Sequence, residues 1–339
     1  MRPYLRPISF LYEQVVGVKN FLYDKGVLAQ NSVGVPVISI GNLTVGGTGK
    51  TPVTDFCLKS LVADGKKVAV ISRSYKADAE APSLVDTEHR YAARYYGDEP
   101  VLLAQTNPEV DVYVGPNKLE TAQFAVRQEK YDVLIVDDGF QHRKLARDLN
   151  IVILDATEAL ANYAVVPEGR GRESFAGIQR ADLLILTKCN LASEEYLHLL
   201  EKRVPEEKEV LHFGYSINQF NSAGSDIKLT KSQMIGKSFF LVSAIARPDV
   251  FEKMMGDIGS VSKKSLHFRD HHQYTNDDIK RIESEFTNSK ADFLVTTEKD
   301  AVKLRSLMSE PSQLWIAKLE VAEVGQKGRL HAALSKIFS

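Results

Sequence analysis

A glycine-rich segment directly after an apolar run carries the residue types that could bind phosphate. It reads Thr44-Val45-Gly46-Gly47-Thr48-Gly49-Lys50-Thr51 and follows the apolar residues 35–40. A buried strand that turns through such a loop into a helix directs backbone N–H groups and a helix N-terminus at a phosphate. In the usual pattern, the lysine reaches the β- and γ-phosphates of a nucleotide and the hydroxyl residue binds Mg²⁺. Thr44 stands where that pattern has glycine, but the strand before and the helix after favour a nucleotide-phosphate loop over an ordinary glycine-rich turn.

A second apolar run, at residues 133–137, ends in two adjacent carboxylates, Asp137 and Asp138. In nucleotide-binding α/β proteins, a carboxylate at a strand end orients Mg²⁺ or its water shell. The same residues could be solvated turn residues or a helix cap, but together with the phosphate loop they form two parts of one site. Because side chains alternate along a strand, the two carboxylates are expected on opposite sides, and which of them faces the phosphates stays open.

Two segments carry groups suited to a proton transfer. Asp98, in Gly97-Asp98-Glu99-Pro100, could accept the proton of an acceptor hydroxyl or simply cap the helix that follows. Asp270-His271-His272 precedes a predicted helix near Asn276 and could support a carboxylate base or bind a metal, although a third ligand at useful spacing is missing. Histidines exposed near a helix cap are the simpler alternative.

Two more charged segments lie in connecting regions. The loop at residues 167–173 contains Arg172, suited to phosphate charge, and Glu173, which could complete a Mg²⁺ shell; taken alone it is an exposed charged loop. Thr297-Glu298-Lys299-Asp300 follows a predicted strand, which is the functional end in α/β units, but its composition assigns it no role.

Strand-like and helix-like segments alternate along the chain, which predicts an α/β fold with a parallel sheet covered on both faces. The predicted strands are 35–40, 67–72, 110–114, 133–137, 151–155 and 183–187, with helices such as 118–128 and 194–203 between them. The following segment, residues 218–238, is rich in Asn, Ser, Gly and Lys, and this composition predicts a domain boundary. We expect a kinase-type nucleotide-binding domain at 31–217, a linker at 218–238 and a smaller α/β domain at 239–339.

The composition limits the class of partner. The net charge is -1, so a broad basic surface for nucleic acid is not expected. Cys57 and Cys189 have neither disulfide nor metal-type spacing, which is typical of a reduced, cytosolic protein. No segment indicates an obligate protein partner.

The N-terminal residues 1–30 predict an amphipathic helix. Leu11, Val15, Val18 and Leu22 recur at helical spacing, and charged residues interrupt the apolar run well before the roughly 18–20 residues of a spanning helix. Basic residues with interleaved aromatics suit a helix in the interface of an anionic bilayer, these being Arg2, Arg6, Lys19 and Lys25. Packing against its own domain is an equally good interpretation of the periodicity.

In this order, the segments resemble the tetraacyldisaccharide 4'-kinase family, the lipid A 4'-kinases, over nearly the whole chain. The extended phosphate loop, whose first-position threonine is typical of the family, and the Asp-Asp-Gly-Phe-Gln-His run are the specific motifs. The matching segments are Asn20-Phe21-Leu22-Tyr23-Asp24, residues 41–52, Ser72-Arg73-Ser74-Tyr75, Gly97-Asp98-Glu99-Pro100, residues 137–143, Asp270-His271-His272 and Thr297-Glu298-Lys299-Asp300. The chain departs from the family at Ser74, where glycine is common, and at 168–171, where the family is proline-rich.

The resemblance implies ATP- and Mg²⁺-dependent transfer of the γ-phosphate to the 4'-hydroxyl of tetraacyldisaccharide 1-phosphate, giving lipid IVA. It implies a peripheral enzyme at the cytoplasmic face of the inner membrane of a Gram-negative bacterium. By position, Lys50 and residues 44–51 bind phosphate, Thr51, Asp137, Asp138 and Glu173 lie on the metal side, and Asp98 assisted by His271 resembles the base. Tyr75, His142 and Arg172 fall on the substrate side.

A membrane-associated regulatory ATPase of the partition or positioning type is the competing hypothesis, since its loop has a similar core. That class has a lysine early in the loop where this chain has Val45. A phosphate-loop binding module without transfer activity is disfavoured by the two acidic clusters.

Overall fold

The computed structural model describes residues 3–74, 77–89, 91–262, 264–325 and 327–338. The helices are α1 (Arg6–Asp24), α2 (Lys50–Ala63), α3 (Ala92–Tyr96), α4 (Asp98–Thr106), α5 (Lys118–Gln128), α6 (Glu194–Glu201), α7 (Lys231–Met234), α8 (Pro248–Gly256), α9 (Asn276–Ser289), α10 (Glu298–Leu304) and α11 (Arg329–Ser335). The strands are β1 (Val37–Asn42), β2 (Val68–Arg73), β3 (Ser83–Leu84), β4 (Asp111–Gly115), β5 (Val133–Asp137), β6 (Leu149–Asp155), β7 (Leu183–Thr187), β8 (Glu209–Ser222), β9 (Lys228–Thr230), β10 (Ser238–Ser243), β11 (Ser260–Val261), β12 (Leu266–His267), β13 (Phe293–Thr297) and β14 (Leu314–Glu323).

The strands form one sheet in the order β11-β10-β13-β14-β8-β7-β6-β1-β5-β2-β4-β3, with β12 beside β10 and β9 beside β8. From β7 to β4 all neighbours are parallel, as the alternation of strand-like and helix-like segments predicted. The predicted strands at 133–137 and 183–187 match β5 and β7, whereas β1 begins and ends two residues later than predicted. The α/β fold is confirmed.

Strand β8 connects the two parts of the sheet. Its first residues pair in parallel with β7, and its later residues pair antiparallel with β14. Along it, buried Phe213, Tyr215 and Ile217 alternate with less buried residues, the pattern of a strand with one covered face. The predicted linker at 218–238 therefore contains the end of β8, all of β9 and α7. The division into domains stays a prediction.

Helices cover both faces of the sheet in each part. Around β1, one apolar cluster includes Ile38, Ile40 and the α2 residues Leu58 and Leu61, and another includes Val37, Leu134 and side chains of α5. Around β10, Phe239 and Leu241 face one cluster and Phe240 and Val242 face the other. This layered packing holds the carboxyl ends of the strands rigid, where the functional side chains emerge.

The two terminal helices pack on the part of the protein that contains β1 and β5. Leu330 and Leu334 of α11 belong to the same apolar cluster as the α2 residues. Helix α1 contacts the rest of the protein mainly through polar groups, which include Ser9 and Asn20. None of the helices in the described ranges combines the length and apolar character that a membrane span requires.

Candidate active site

A cleft of about 970 Å³ lies between the carboxyl ends of β1, β2 and β5 and the segments after β10, β12 and β13. It collects most of the residues singled out from the sequence. Its lining includes residues 45–51, Asp98, Asp137, Asp138, His142, Arg172 and His271. Thr44 and Glu173 are buried outside that lining, and Tyr75 lies outside the described residues.

The glycine-rich loop joins β1 to α2 and is tied down on both sides. Asn42 Nδ2 donates to Thr48 Oγ1 at 2.7 Å, and Thr187 Oγ1 donates to the carbonyl oxygen of Thr48 at 2.9 Å. The backbone N–H of Val45 donates to the Arg170 carbonyl at 2.8 Å, so the 167–173 loop runs beside it. Helix α2 begins at Lys50 with no side-chain cap at Gly49, and its first residues, Lys50 and Thr51, line the cleft, so a helix N-terminus suited to phosphate lies there.

Gly49 is a position where the loop tolerates no side chain. Its φ is +89°, and an added Cβ would collide with the hydroxyl of Tyr215, which donates to the Gly49 carbonyl at 3.1 Å. Both the left-handed backbone and the close approach of β8 therefore require glycine. The motif predicts a glycine at position 49, and the backbone angle together with the contact to Tyr215 gives the physical reason for it.

We expect Gly49→Ala to weaken ATP binding by about tenfold or more, because the loop must shift away from the phosphate position. Isothermal titration calorimetry with ATP measures it. In Gly49→Ala/Tyr215→Phe, loss of the hydroxyl should restore part of the affinity. Gly65→Ala is the matched control: its φ is +71° with open space around it, so it should lose only about 1–2 kcal/mol of stability and bind ATP normally. Equal ATP affinity in Gly49→Ala and wild type would contradict this steric argument.

The two carboxylates at the end of β5 differ in their surroundings. Asp138 has a left-handed backbone, with φ at +51°. Its carboxylate accepts hydrogen bonds from the two terminal nitrogens of Arg172 at 2.8 and 2.6 Å, and Lys50 Nζ lies 3.5 Å from its Oδ1. Burial alone would raise the pKa of Asp138, but Lys50 and Arg172 hold it well below its usual range. Asp137 is buried, and burial together with the charge of Glu99 raises the pKa of Asp137 to about 6. The sequence could not tell these two environments apart.

The residues present fit a magnesium ion. Asp137 Oδ1 is buried and has no hydrogen-bond partner among the described residues. Asp137 and Thr51, which has a hydroxyl side chain, both line the cleft. Within the described ranges, no group of three or more His, Cys, Asp or Glu side chains could hold a metal by itself. A cation here would therefore take most of its oxygen ligands from phosphate and water, as Mg²⁺ commonly does.

Lys118 stabilises the end of β5 through hydrogen bonds to its backbone. It is fully buried at the start of α5, and its ammonium group donates to the carbonyl oxygens of Asp137 and Asp138, the latter at 2.6 Å. Burial lowers the pKa of Lys118 to about 8. Sequence reasoning missed this residue, since a lysine at a helix start carries no signal of burial.

Asp98 and His271 come together although 173 residues separate them. Asp98 is buried at the first turn of α4, and His271 Nδ1 lies 3.4 Å from its Oδ1 and 3.3 Å from its Oδ2. Burial raises the pKa of Asp98, but the hydrogen bond to His271 and the charges of Lys303 and Lys299 outweigh it and lower that pKa well below its usual range. The carboxylate is therefore ionised at neutral pH, as a proton acceptor must be.

Two charged residues of the 167–173 loop, Arg172 and Glu173, contact different parts of the protein. Arg172 contacts Asp138 and Asn42 in the cleft. Glu173 instead accepts from Gln141 at 2.9 Å, Asn20 of α1 at 3.2 Å and Arg180 at 2.6 Å. These contacts make Glu173 a link to α1, and its metal role stays a prediction.

His142 lies half-buried on the cleft wall. Burial and the positive charge of Lys118 lower the pKa of His142 to about 3, so the ring is neutral at neutral pH. It can offer one donor or one acceptor to a bound molecule rather than a positive charge.

Sequence reasoning missed several charged residues on the other side of the phosphate loop. Lys188 Nζ lies 3.2 Å from the Gly47 carbonyl and forms an ion pair with Asp155, which Arg247 approaches at 4.0 Å. Asp155 and Lys188 stand at or just after the ends of β6 and β7. The rule that sites gather at the carboxyl ends of parallel strands could have found both, whereas Arg247 carried no local signal.

The whole chain, residues 1–339, matches the family model described as tetraacyldisaccharide-1-P 4'-kinase, LpxK. It is 68% identical over 338 residues to the tetraacyldisaccharide 4'-kinase of Bdellovibrio bacteriovorus, with 100% of both chains covered. It is 36% identical over 336 residues to that of an Anaeromyxobacter species, covering 96% of this chain and 88% of the relative. Among solved structures, LpxK from Aquifex aeolicus, an "apo" form in complex with ATP, superimposes with a TM-score of 0.79 at 28% identity, over 100% of this chain and 99% of that one.

Proposed function

The chain belongs to the tetraacyldisaccharide 4'-kinase family, and we propose that it phosphorylates the lipid A precursor in this cleft. One group of cleft residues binds ATP and another binds the acceptor. The enzyme is a kinase of lipid A biosynthesis, transferring the ATP γ-phosphate to the 4'-hydroxyl of tetraacyldisaccharide 1-phosphate. The observation that carries the assignment of roles is the shared cleft: the phosphate loop and the Asp98–His271 pair both face it. The regulatory ATPase hypothesis loses its support, since family membership covers the entire chain.

The donor half of the site is the loop at residues 44–51. Its backbone N–H groups and Lys50 bind the triphosphate, in keeping with the ATP bound to the Aquifex aeolicus relative. Thr51 and Asp137 would hold Mg²⁺, with Asp138 beside them, and when bound the ion neutralises charge on the transferring phosphoryl group. Arg172, held by Asp138, stands next to the same phosphates and stabilises negative charge there.

The acceptor half is built around Asp98. The 4'-oxygen attacks the γ-phosphorus, a new P–O bond forms, and the bond to the β,γ-bridging oxygen breaks to release ADP. The hydroxyl proton goes to the Asp98 carboxylate, which His271 orients through its Nδ1. His142, neutral and on the cleft wall, contributes a hydrogen bond to the bound substrates, and we keep Tyr75 as a further substrate-side candidate.

Helix α1 presents its apolar side to solvent and its polar side to the protein. Leu11, Val15 and Val18 are 65%, 69% and 59% exposed. On the opposite side, Ser9 Oγ accepts from the Glu168 N–H at 2.9 Å and Asn20 donates to Glu173. A soluble helix would bury the apolar side instead, so this orientation supports a peripheral contact of α1 with the cytoplasmic face of the inner membrane, where the lipid acceptor lies.

We expect the triple variant Leu11→Gln/Val15→Gln/Val18→Gln to bind anionic vesicles at least about tenfold more weakly, because each apolar side chain contributes about 2 kcal/mol when it leaves water. Vesicle co-sedimentation measures it. ATP affinity should not change, since the polar contacts of α1 remain. Ile235→Gln, which removes an exposed apolar side chain far along the chain, serves as the control. Unchanged sedimentation of the triple variant would exclude α1 as the membrane contact.

The transfer itself is tested with γ-labelled ATP and tetraacyldisaccharide 1-phosphate in mixed micelles, followed by thin-layer separation. Label should move to the lipid and depend on both Mg²⁺ and the acceptor. Release of label only as inorganic phosphate would instead indicate an ATPase.

A further inference from the structure

The segment Thr297-Glu298-Lys299-Asp300, to which the sequence assigned no role, fixes the start of α10. Thr297 and Asp300 exchange hydrogen bonds at the helix N-terminus, and the buried Asp300 carboxylate also accepts from the Ala244 N–H at 2.9 Å and the Tyr274 hydroxyl at 3.2 Å. Glu298 accepts from the Leu319 N–H of β14 at 3.0 Å. Helix α10 is thus held in one orientation by three neighbouring elements.

This orientation places two lysines, four residues apart on one face of α10, against the start of α4. Lys303 is buried, and its Nζ lies 3.0 Å from Asp98 Oδ2 and 3.0 Å from the His272 carbonyl. Lys299 Nζ lies 3.1 Å from Glu99 Oε1 and 3.2 Å from Asp270 Oδ1. Both lysines therefore join α4 to the segment that carries His271.

Lys299 also defines how the histidine ring is used. Its Nζ lies 3.4 Å from His271 Nε2, and an ammonium group can only donate. An Nε2 atom that accepts from this ammonium group leaves the ring proton on Nδ1, the atom that faces Asp98, while Asp270 Oδ2 lies farther from Nε2, at 3.8 Å. The ring donates to the carboxylate in this tautomer.

We propose that Lys303 is a positioning residue for phosphoryl transfer, with Lys299 as its companion: it orients the Asp98 carboxylate and holds the His271 segment against α4. The proposal rests on the role of Asp98 as the base. Asp98 is buried, so without a cation its charge would be poorly compensated. The carbonyl of His272, the residue after His271, occupies another donor of the same ammonium group, so one lysine sets the position of both members of the pair.

The charged and titratable groups around Asp98 come from three elements. They are Glu99 on α4, Asp270, His271 and Tyr274 in the segment before α9, and Lys299, Asp300 and Lys303 on α10. Lys299 and Lys303 supply the ammonium groups of this set. Since burial raises the pKa of Asp98 and the lysines lower it, loss of Lys303 raises that pKa.

The test is Lys303→Met in the full-length enzyme, assayed in mixed micelles for kcat, KM for ATP and pH dependence. Turnover should fall by about 100-fold, the effect expected when reacting groups lose their alignment. Because the pKa of Asp98 lies well below its usual range in wild type, the wild-type kcat should not fall on the acidic side of the assay range, whereas the Lys303→Met profile should show an acidic limb moved toward neutral pH. KM for ATP should stay within about threefold. Lys303→Arg, which keeps a cation, should retain the wild-type pH profile and lose less activity. Lys280→Ala, an exposed lysine on α9, is the control.

The outcomes separate this proposal from the one on which it rests. Wild-type turnover in Asp98→Asn would overturn the base assignment, and Lys303 with it. An inactive Asp98→Asn together with an unshifted pH profile and near-normal kcat in Lys303→Met would overturn the Lys303 proposal alone. If Lys303→Met does not fold, Lys299→Met carries the test, with Lys303→Arg as the conservative reference: wild-type kcat and a wild-type pH profile in Lys299→Met would contradict the positioning role. ATP titration of each variant verifies the fold of the nucleotide site.

Discussion

Replacement of Asp98 by asparagine is expected to lower turnover by about 1,000-fold and to leave ATP affinity within about threefold of wild type. The amide has nearly the same shape, and its oxygen can still accept from Lys303, which lies 3.0 Å from the native carboxylate. It cannot accept the proton of the 4'-hydroxyl, so the loss appears when the P–O bond forms and not when the nucleotide binds. A drop in kcat with an unchanged KM for ATP is the expected signature.

Single-turnover measurements with enzyme in excess separate this chemical step from product release. Asp78→Asn is the control, since Asp78 is half exposed and pairs only with Arg94 among the ion pairs of the described residues. His271→Ala should cost less than Asp98→Asn, because the histidine orients the carboxylate and does not receive the proton. If Asp98→Asn retained more than about one-tenth of wild-type turnover, another group would have to accept the proton.

The parts of the site that the sequence predicted are those coded within a few consecutive residues. The phosphate loop and the Asp137–Asp138 pair each follow a buried strand, and a strand followed by polar residues is visible locally. The parallel pairing of β1 with β5 and β6 agrees with the parallel sheet predicted from the alternation of strands and helices, whereas the order of the strands was not predicted. At these positions the local pattern and the tertiary structure agree in bringing the residues to one cleft, and their roles stay predictions.

The parts that the sequence could not supply depend on contacts between distant segments. The segment around Asp98 is compatible with a proton acceptor or with a helix cap, and only the packing of distant segments brings His271 and Lys303 beside it. The composition of residues 218–238, rich in Asn, Ser, Gly and Lys, predicts a domain boundary, and only the pairing with β14 shows that the first of these residues continue strand β8. The burial of Lys118 and the use of Glu173 as a link to α1 likewise arise from packing, which no single segment encodes.

Lys50→Met should reduce kcat/KM for ATP by about 100- to 1,000-fold, the range expected when one donor that stabilises charge in the transition state is removed. In the structure Lys50 Nζ lies 3.4 Å from Asn42 Oδ1 and 3.5 Å from Asp138 Oδ1, poised over the loop. Methionine has a similar length but no charge, so the loop can keep its shape while the phosphates lose their cation. Arginine should not rescue the activity, because its planar fork does not fit a site shaped for a point charge.

The effect of Lys50→Met should differ from that of Asp98→Asn in a way that identifies the two halves of the site. Lys50 contacts the donor phosphates, so its loss should raise the Kd for ATP as well as lower kcat, whereas loss of Asp98 lowers kcat alone. Asp138 keeps its two contacts with Arg172 in Lys50→Met, so the acidic strand end should not collapse. Lys67→Met, an exposed lysine paired with Glu129, controls for the general loss of a positive charge. Wild-type ATP affinity and turnover in Lys50→Met would mean that the nucleotide phosphates lie elsewhere in the cleft.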